Sequence, residues 1–101
     1  MMPAIAIQGG LSTGHGCFPP TQDIGPYTTS SFLNSKPIQL RGVTKYAQHS
    51  CGLSTHPDSA RVIKDPGGST FFLEGKPVAM IGDELTDSGD MVAKGSSSAF
   101  I

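Results

Sequence analysis

An eleven-residue pattern recurs forty positions further on with five identical residues, and nothing else in the sequence limits the fold as much. Phe32-Leu33-Asn34-Ser35-Lys36-Pro37-Ile38-Gln39-Leu40-Arg41-Gly42 aligns with Phe72-Leu73-Glu74-Gly75-Lys76-Pro77-Val78-Ala79-Met80-Ile81-Gly82, with Phe, Leu, Lys, Pro and Gly identical at matching places. Each copy reads as strand, two-residue turn, strand. Asn34-Ser35 and Glu74-Gly75 are the turn pairs, Gly75 being the better because glycine accepts positive φ freely. The proline after each lysine has no N–H to donate, so it belongs at a strand start or edge. A third, truncated copy is expected at the end, where Gly95-Ser96-Ser97-Ser98-Ala99-Phe100-Ile101 resembles Gly68-Ser69-Thr70-Phe71-Phe72-Leu73. The expected fold class is all-β, built from short hairpins.

Composition sharpens this expectation. Thirteen Gly and eight Pro favour turns and short strands, and at 101 residues the chain is expected to form one domain, residues 1–101. A hydrophobic content of 37% without any Trp makes a thin core. Small domains of that kind lean on a metal, on disulfides or on a partner. The formal net charge is −1 and the basic residues are scattered singly, which argues against nucleic-acid binding. The apolar start, Met1 to Ile7, lacks a basic flank and halts at Gln8-Gly9-Gly10, too short for a signal peptide or a membrane span. Synthesis in the cytoplasm is therefore expected, where a reduced thiol favours metal over disulfide.

Taken in order, residues 4–8 read as an opening strand and residues 11–22 as a Gly/Pro-rich loop stiffened by Phe18-Pro19-Pro20. Strands are expected over residues 28–33 and 60–64. The acidic residues Asp83, Glu84, Asp87 and Asp90 read as a solvated turn between strands.

All three histidines and both cysteines fall in two patches, Gly14-His15-Gly16-Cys17 and His49-Ser50-Cys51-Gly52-Leu53-Ser54-Thr55-His56. Thiolate and neutral imidazole together suit Zn²⁺, which takes four such ligands tetrahedrally in a structural site. The expected ligands are His15, His49, Cys51 and His56, with Cys17 open as a replacement for His15. A Cys17–Cys51 disulfide would account for both cysteines but leave the histidines as coincidence. Cys51 and His49 can also be read as nucleophile and base, although metal ligation accounts for both together with His56.

Gly14-His15-Gly16-Cys17-Phe18-Pro19-Pro20, the two hairpins with their Lys-Pro and closing Gly, Gly82-Asp83, and the final Gly-Ser-Ser-Ser-Ala-Phe strand together resemble the PAAR-repeat proteins. The resemblance spans nearly the whole chain and keeps the order of the motifs. The Pro-Ala-Ala-Arg motif itself appears as Pro77-Val78-Ala79-Met80 and Pro37-Ile38-Gln39-Leu40. Members of that family are small cones that cap the trimeric β-helical spike of type VI secretion systems and contractile phage tails. The resemblance implies a zinc near the apex held by three His and one Cys, carried over as His15, His49, His56 and Cys51. Where many relatives have a Cys-Gly pair after the second repeat, this chain has Asp87-Ser88-Gly89. That difference removes an alternative ligand and points to the four residues named. The toxin or transthyretin-like extensions of many relatives are not expected here.

The expected architecture is therefore a cone with threefold pseudosymmetry. A tip has almost no interior, so apolar burial at about 25 cal/mol per Å² cannot order it. A structural zinc contributes on the order of 10 kcal/mol of apparent binding energy that acts as folding energy. At the wide end, three related hairpins can face a trimer without a symmetry clash, with Ile5, Phe32, Ile38, Phe72, Val78, Met80 and Phe100 forming the base or a shallow core. The expected function is a mechanical, non-enzymatic cap for a membrane-piercing needle. Its partners would be the spike trimer, a possible effector and, transiently, the target membrane outside the producing cell. The alternatives are a small zinc hydrolase assisted by Asp58 or Glu84, and a zinc-stabilised adaptor for a separate effector.

Overall fold

The computed structural model describes residues 4–64, 71–87 and 89–96. Among these, eight short strands pair as four antiparallel ribbons, with one 3₁₀ turn, Asp58–Ala60. The strands are β1 (Asp23–Gly25), β2 (Phe32–Leu33), β3 (Lys36–Pro37), β4 (Lys45–Tyr46), β5 (His49–Cys51), β6 (Ser54–His56), β7 (Phe72–Leu73) and β8 (Lys76–Pro77). The protein is nearly all β-hairpins, as the repeat requires. No helix of the described residues is long and apolar enough to cross a membrane.

Both repeat hairpins form in the expected register, β2 with β3 through Phe32–Pro37 and Leu33–Lys36, and β7 with β8 through Phe72–Pro77 and Leu73–Lys76. Their turn residues all have positive φ: 54° and 63° at Asn34 and Ser35, 54° and 81° at Glu74 and Gly75. Such turns twist in the same sense as the strands they join. The Glu74 side chain leaves its turn and accepts hydrogen bonds from the N–H and hydroxyl groups of Thr29 and Ser30. Asn34, at the matching position, accepts one from the Ser96 hydroxyl at 2.6 Å.

Past the two hairpins the chain meets its own start. The N–H of Ala6 donates to Ala79, that of Ala79 to Gln39, and that of Gln39 back to Ala6, at 2.9, 3.0 and 3.0 Å. A second cycle runs around the first: Gln8 to Pro37, Arg41 to Pro77 and Ile81 to Ala4, at 2.9, 2.9 and 3.0 Å. Residues 4–8, 37–41 and 77–81 thus each pair with both of the others, and each is followed by a glycine of positive φ, Gly9, Gly42 or Gly82. The opening strand is the structural equivalent of the two later copies. Ile5-Ala6-Ile7-Gln8-Gly9 set against Val78-Ala79-Met80-Ile81-Gly82 carries the signal in the sequence. Of the copy expected at residues 95–101, only Gly95 and Ser96 lie within the described residues, packed beside Ile5.

From each of these segments the chain makes an excursion and returns. The legs of the excursions pair around a second ring: residues 11–12 with 92–93, 22–25 with 45–47, and 62–64 with 84–86. Two apolar clusters fill the body. Ile5, Ile38, Leu40 and Val78 pack at the first ring, and Ala6, Tyr46, Ile63, Ala79, Leu85 and Val92 form the other. Ile5, Ile38, Val78 and Met80 are buried, as anticipated for a shallow core. Phe32 and Phe72 are 59% and 57% exposed, because position one of each β2-type strand lies outside the ring; Phe100 falls outside the described residues.

Several expected elements differ in detail. Residues 28–31 are not strand: Thr28 instead turns its hydroxyl onto the Ile38 N–H at 2.9 Å. Residues 60–64 begin as the end of the 3₁₀ turn and contribute only isolated bridges from Val62 and Ile63. The acidic segment is not a solvated turn throughout. Asp87 and Asp90 are buried, and Asp83 grips the buried Arg41 through two hydrogen bonds of 2.7 and 2.8 Å.

Candidate metal centre

Each excursion delivers donor atoms to one point. In the first, His15 bridges Phe18 across a turn made by Gly16, φ 57°. Gly14 precedes it at φ 73°, where an added Cβ would lie 2.7 Å from the Phe18 carbonyl oxygen, so no side chain fits there. In the second, β5 and β6 place His49 directly opposite His56. Cross-strand partners share a face, so both imidazoles point the same way. In the third, the backbone closes through Leu85 N–H to Asp90 O at 3.0 Å and carries Asp87 inward.

His15, His49, His56 and Asp87 form a partly buried group whose ligand-capable atoms all lie within 4.8 Å of one another. Asp87 Oδ2 is 3.2 Å from His15 Nε2, 3.0 Å from His49 Nε2 and 3.3 Å from His56 Nδ1. His49 Nε2 and His56 Nδ1 are 3.0 Å apart. A tetrahedral zinc with metal–ligand distances near 2.0–2.1 Å has ligand–ligand edges of about 3.3 Å. Four of the six edges here come close to that figure. The Phe18 ring lies against all three imidazoles, centroid separations being 4.9, 4.7 and 4.0 Å to His15, His49 and His56.

The protonation pattern also fits a cation. His49 Nδ1 lies 2.9 Å from the Pro19 carbonyl oxygen, which can only accept, so Nδ1 carries the proton. In the neutral ring Nε2 then turns a bare lone pair toward the Asp87 carboxylate. His56 Nδ1, 3.0 Å from His49 Nε2 and 3.3 Å from Asp87 Oδ2, can supply a proton to either atom, and a bound metal ion would satisfy all three at once. Asp87 Oδ1 is buried without a hydrogen-bond partner, so Arg61 and the imidazoles engage Oδ2 alone. Burial opposes ionisation of Asp87, but the hydrogen bond and charge of Arg61, with His15 and His49, outweigh it and hold the carboxyl below its ordinary range. The group can hold a metal ion.

The fourth expected ligand is elsewhere. Cys51 is bonded to Cys17 in a disulfide, Cα atoms 5.5 Å apart, that ties the first excursion to the second. The reason lies in the hairpin: Cys51 pairs with Ser54 at the turn end, whereas His49 and His56 pair at the opposite end of the ribbon. Its sulfur meets the cysteine of the neighbouring loop, and the carboxylate of the third excursion takes the place expected for it among the imidazoles. Cys17 likewise does not replace His15. Asp87 was readable as a candidate only in that a carboxylate is itself a metal ligand. The hydrolase candidates Asp58 and Glu84 are not members of the group.

A scan against protein-family models finds no match for this chain, and a search of curated proteins finds no relative.

Proposed function

We propose that this chain is the tip of a contractile injection machine, a PAAR-like cap on a trimeric β-helical spike in a secretion system or a phage tail. The observation that carries the reading is the double cycle of backbone hydrogen bonds joining residues 4–8, 37–41 and 77–81. A cyclic order in which each segment donates to one neighbour and accepts from the other approximates a threefold axis within one chain. A monomer of that form can meet three equivalent spike strands without a symmetry mismatch. Phe32 and Phe72, exposed at equivalent places of the two hairpins, supply matching apolar contacts for such a base.

The metal group supports the other half of the reading. His15, His49, His56 and Asp87 come from three separate excursions, so one ion bound among them would lock all three together at the narrow end. Four protein donors fill a tetrahedral Zn²⁺ site and leave no position for a catalytic water, which favours a structural ion and a mechanical role over a hydrolase. The cap would be made in the cytoplasm, assembled on the spike and driven through the target membrane, with or without an effector attached.

The test is stoichiometry. Mixed with a trimeric β-helical spike protein from the same source, the chain should bind as one copy per trimer by analytical ultracentrifugation, and Phe32→Asp with Phe72→Asp should abolish the complex. A complex of three copies per trimer, or none, would remove the cap reading. Elemental analysis should find close to one zinc per folded chain.

A further inference from the structure

Beneath the metal group lies a buried cation that a simple ligand set would not require. Arg61 is fully buried, and its side chain is held on every side. Nε donates to Asp87 Oδ2 at 2.9 Å, and Nη1 donates to Thr21 Oγ1 and the Ala47 carbonyl. Nη2 donates to Ser12 Oγ at 3.1 Å and to Asp90 Oδ2. Asp90 is anchored in turn, because its Oδ1 accepts from the Gly14 N–H at 2.9 Å, the Met91 N–H at 3.0 Å and the Thr13 hydroxyl at 3.3 Å. A guanidinium touching a ligating oxygen repels a metal ion and weakens the donor. Its presence there has to serve geometry.

We propose that Arg61 is the positioning residue of the metal centre: locked by Asp90, Thr21 and Ser12, it pins Asp87 Oδ2 at the junction of the three imidazoles. This rests on the metal reading above. A carboxylate otherwise rotates freely about its last bond and offers either oxygen. Here one oxygen is gripped by Arg61 and faces the histidines, while Oδ1 has no partner. Asp87 and Asp90, both buried, are also carried by this single cation; without it two unpaired carboxylates would be buried, which is costly. Three imidazoles with a hydrogen-bonded carboxylate suit Zn²⁺ or Co²⁺ and discriminate against soft monovalent copper, which prefers sulfur.

Co²⁺ binding to the full chain tests this in wild type, Arg61→Lys and Asp90→Asn, with affinity from chelator competition and coordination from the visible spectrum. Wild type should give tetrahedral cobalt bands without a sulfur-to-cobalt charge-transfer band. Removing an outer partner of a ligand typically costs 10–100-fold in metal affinity, and both variants should lose about that much with shifted, weaker bands. Should Arg61→Lys not fold, Asp90→Asn decides, since it leaves every ligand and the Arg61–Asp87 contact in the sequence. Equal affinity and spectra in the folded variants and wild type overturn the positioning role alone. No cobalt spectrum from wild type overturns the metal reading with it, and a sulfur charge-transfer band would make a cysteine the fourth donor and overturn the carboxylate assignment.

Discussion

Replacing His49 by alanine should abolish the response of this protein to metal while leaving a folded chain. His49 is 3% exposed, is bound through Nδ1 to the Pro19 carbonyl and sits 3.0 Å from both His56 Nδ1 and Asp87 Oδ2. It therefore shares an edge with two other donors, and its loss leaves three where four were available. An ion that binds only the folded chain adds about 4.1 kcal/mol when its free concentration is a thousand times its dissociation constant. For a domain of this size each kcal/mol moves the melting temperature by about 4–8 °C. Wild type should then melt roughly 20 °C higher with zinc at that excess than with a chelator. In His49→Ala the loss of the buried ring and of its hydrogen bond to the Pro19 carbonyl lowers the chelated baseline, and the zinc increment should nearly vanish. Scanning calorimetry in matched zinc and chelator buffers measures both effects, with Ser50→Ala on the exposed face of β5 as a control that keeps the full increment. Equal melting of wild type in the two buffers, or a full increment in His49→Ala, would refute the reasoning.

Three further expectations concern the scaffold. Gly95→Ala places a Cβ 2.7 Å from the Ile5 carbonyl oxygen and should destabilise by about 1–3 kcal/mol through overpacking, read from urea unfolding; an unchanged midpoint would mean that residues 93–96 do not pack beside the opening segment. Tyr46→Phe removes the 2.8 Å hydrogen bond to buried Gln39 Oε1 and should cost about 1–3 kcal/mol. Gln39→Leu also removes the 2.8 Å bond from Gln39 Nε2 to the Ile7 carbonyl, so the double variant should cost less than the sum of the two single changes by the shared Tyr46–Gln39 bond, and a strictly additive double variant would argue against the pairing. Backbone and side-chain hydrogen bonds from Thr29 and Ser30 hold the Glu74 carboxyl at about 2, down from an ordinary 4.5. A lowered pKa stabilises the fold above the unfolded value and is lost as pH falls through the folded one. Stability curves of wild type and Glu74→Gln should therefore differ at neutral pH and converge between about pH 4.5 and 2; curves that stay parallel would exclude the contact.

By itself the sequence determined whatever depends on a few adjacent residues. Asn34-Ser35 and Glu74-Gly75 supply two-residue turns, each Lys-Pro starts a returning strand, and the crowding of His15, His49 and His56 into two patches marks where donors gather. The alternation that pairs His49 with His56 across β5 and β6 is equally local. Tertiary closure decided the rest. His15 and Asp87 are 72 positions apart and meet at 3.2 Å only because three excursions pair around a ring, and no pattern within one segment encodes that meeting. The same closure joined Cys51 to Cys17, left the fourth place to a carboxylate, and buried Arg61 between Asp87 and Asp90. A charge reads as solvent-exposed in sequence because burying it alone is costly; here its partners arrive from other parts of the chain, and only the folded ring brings them within reach.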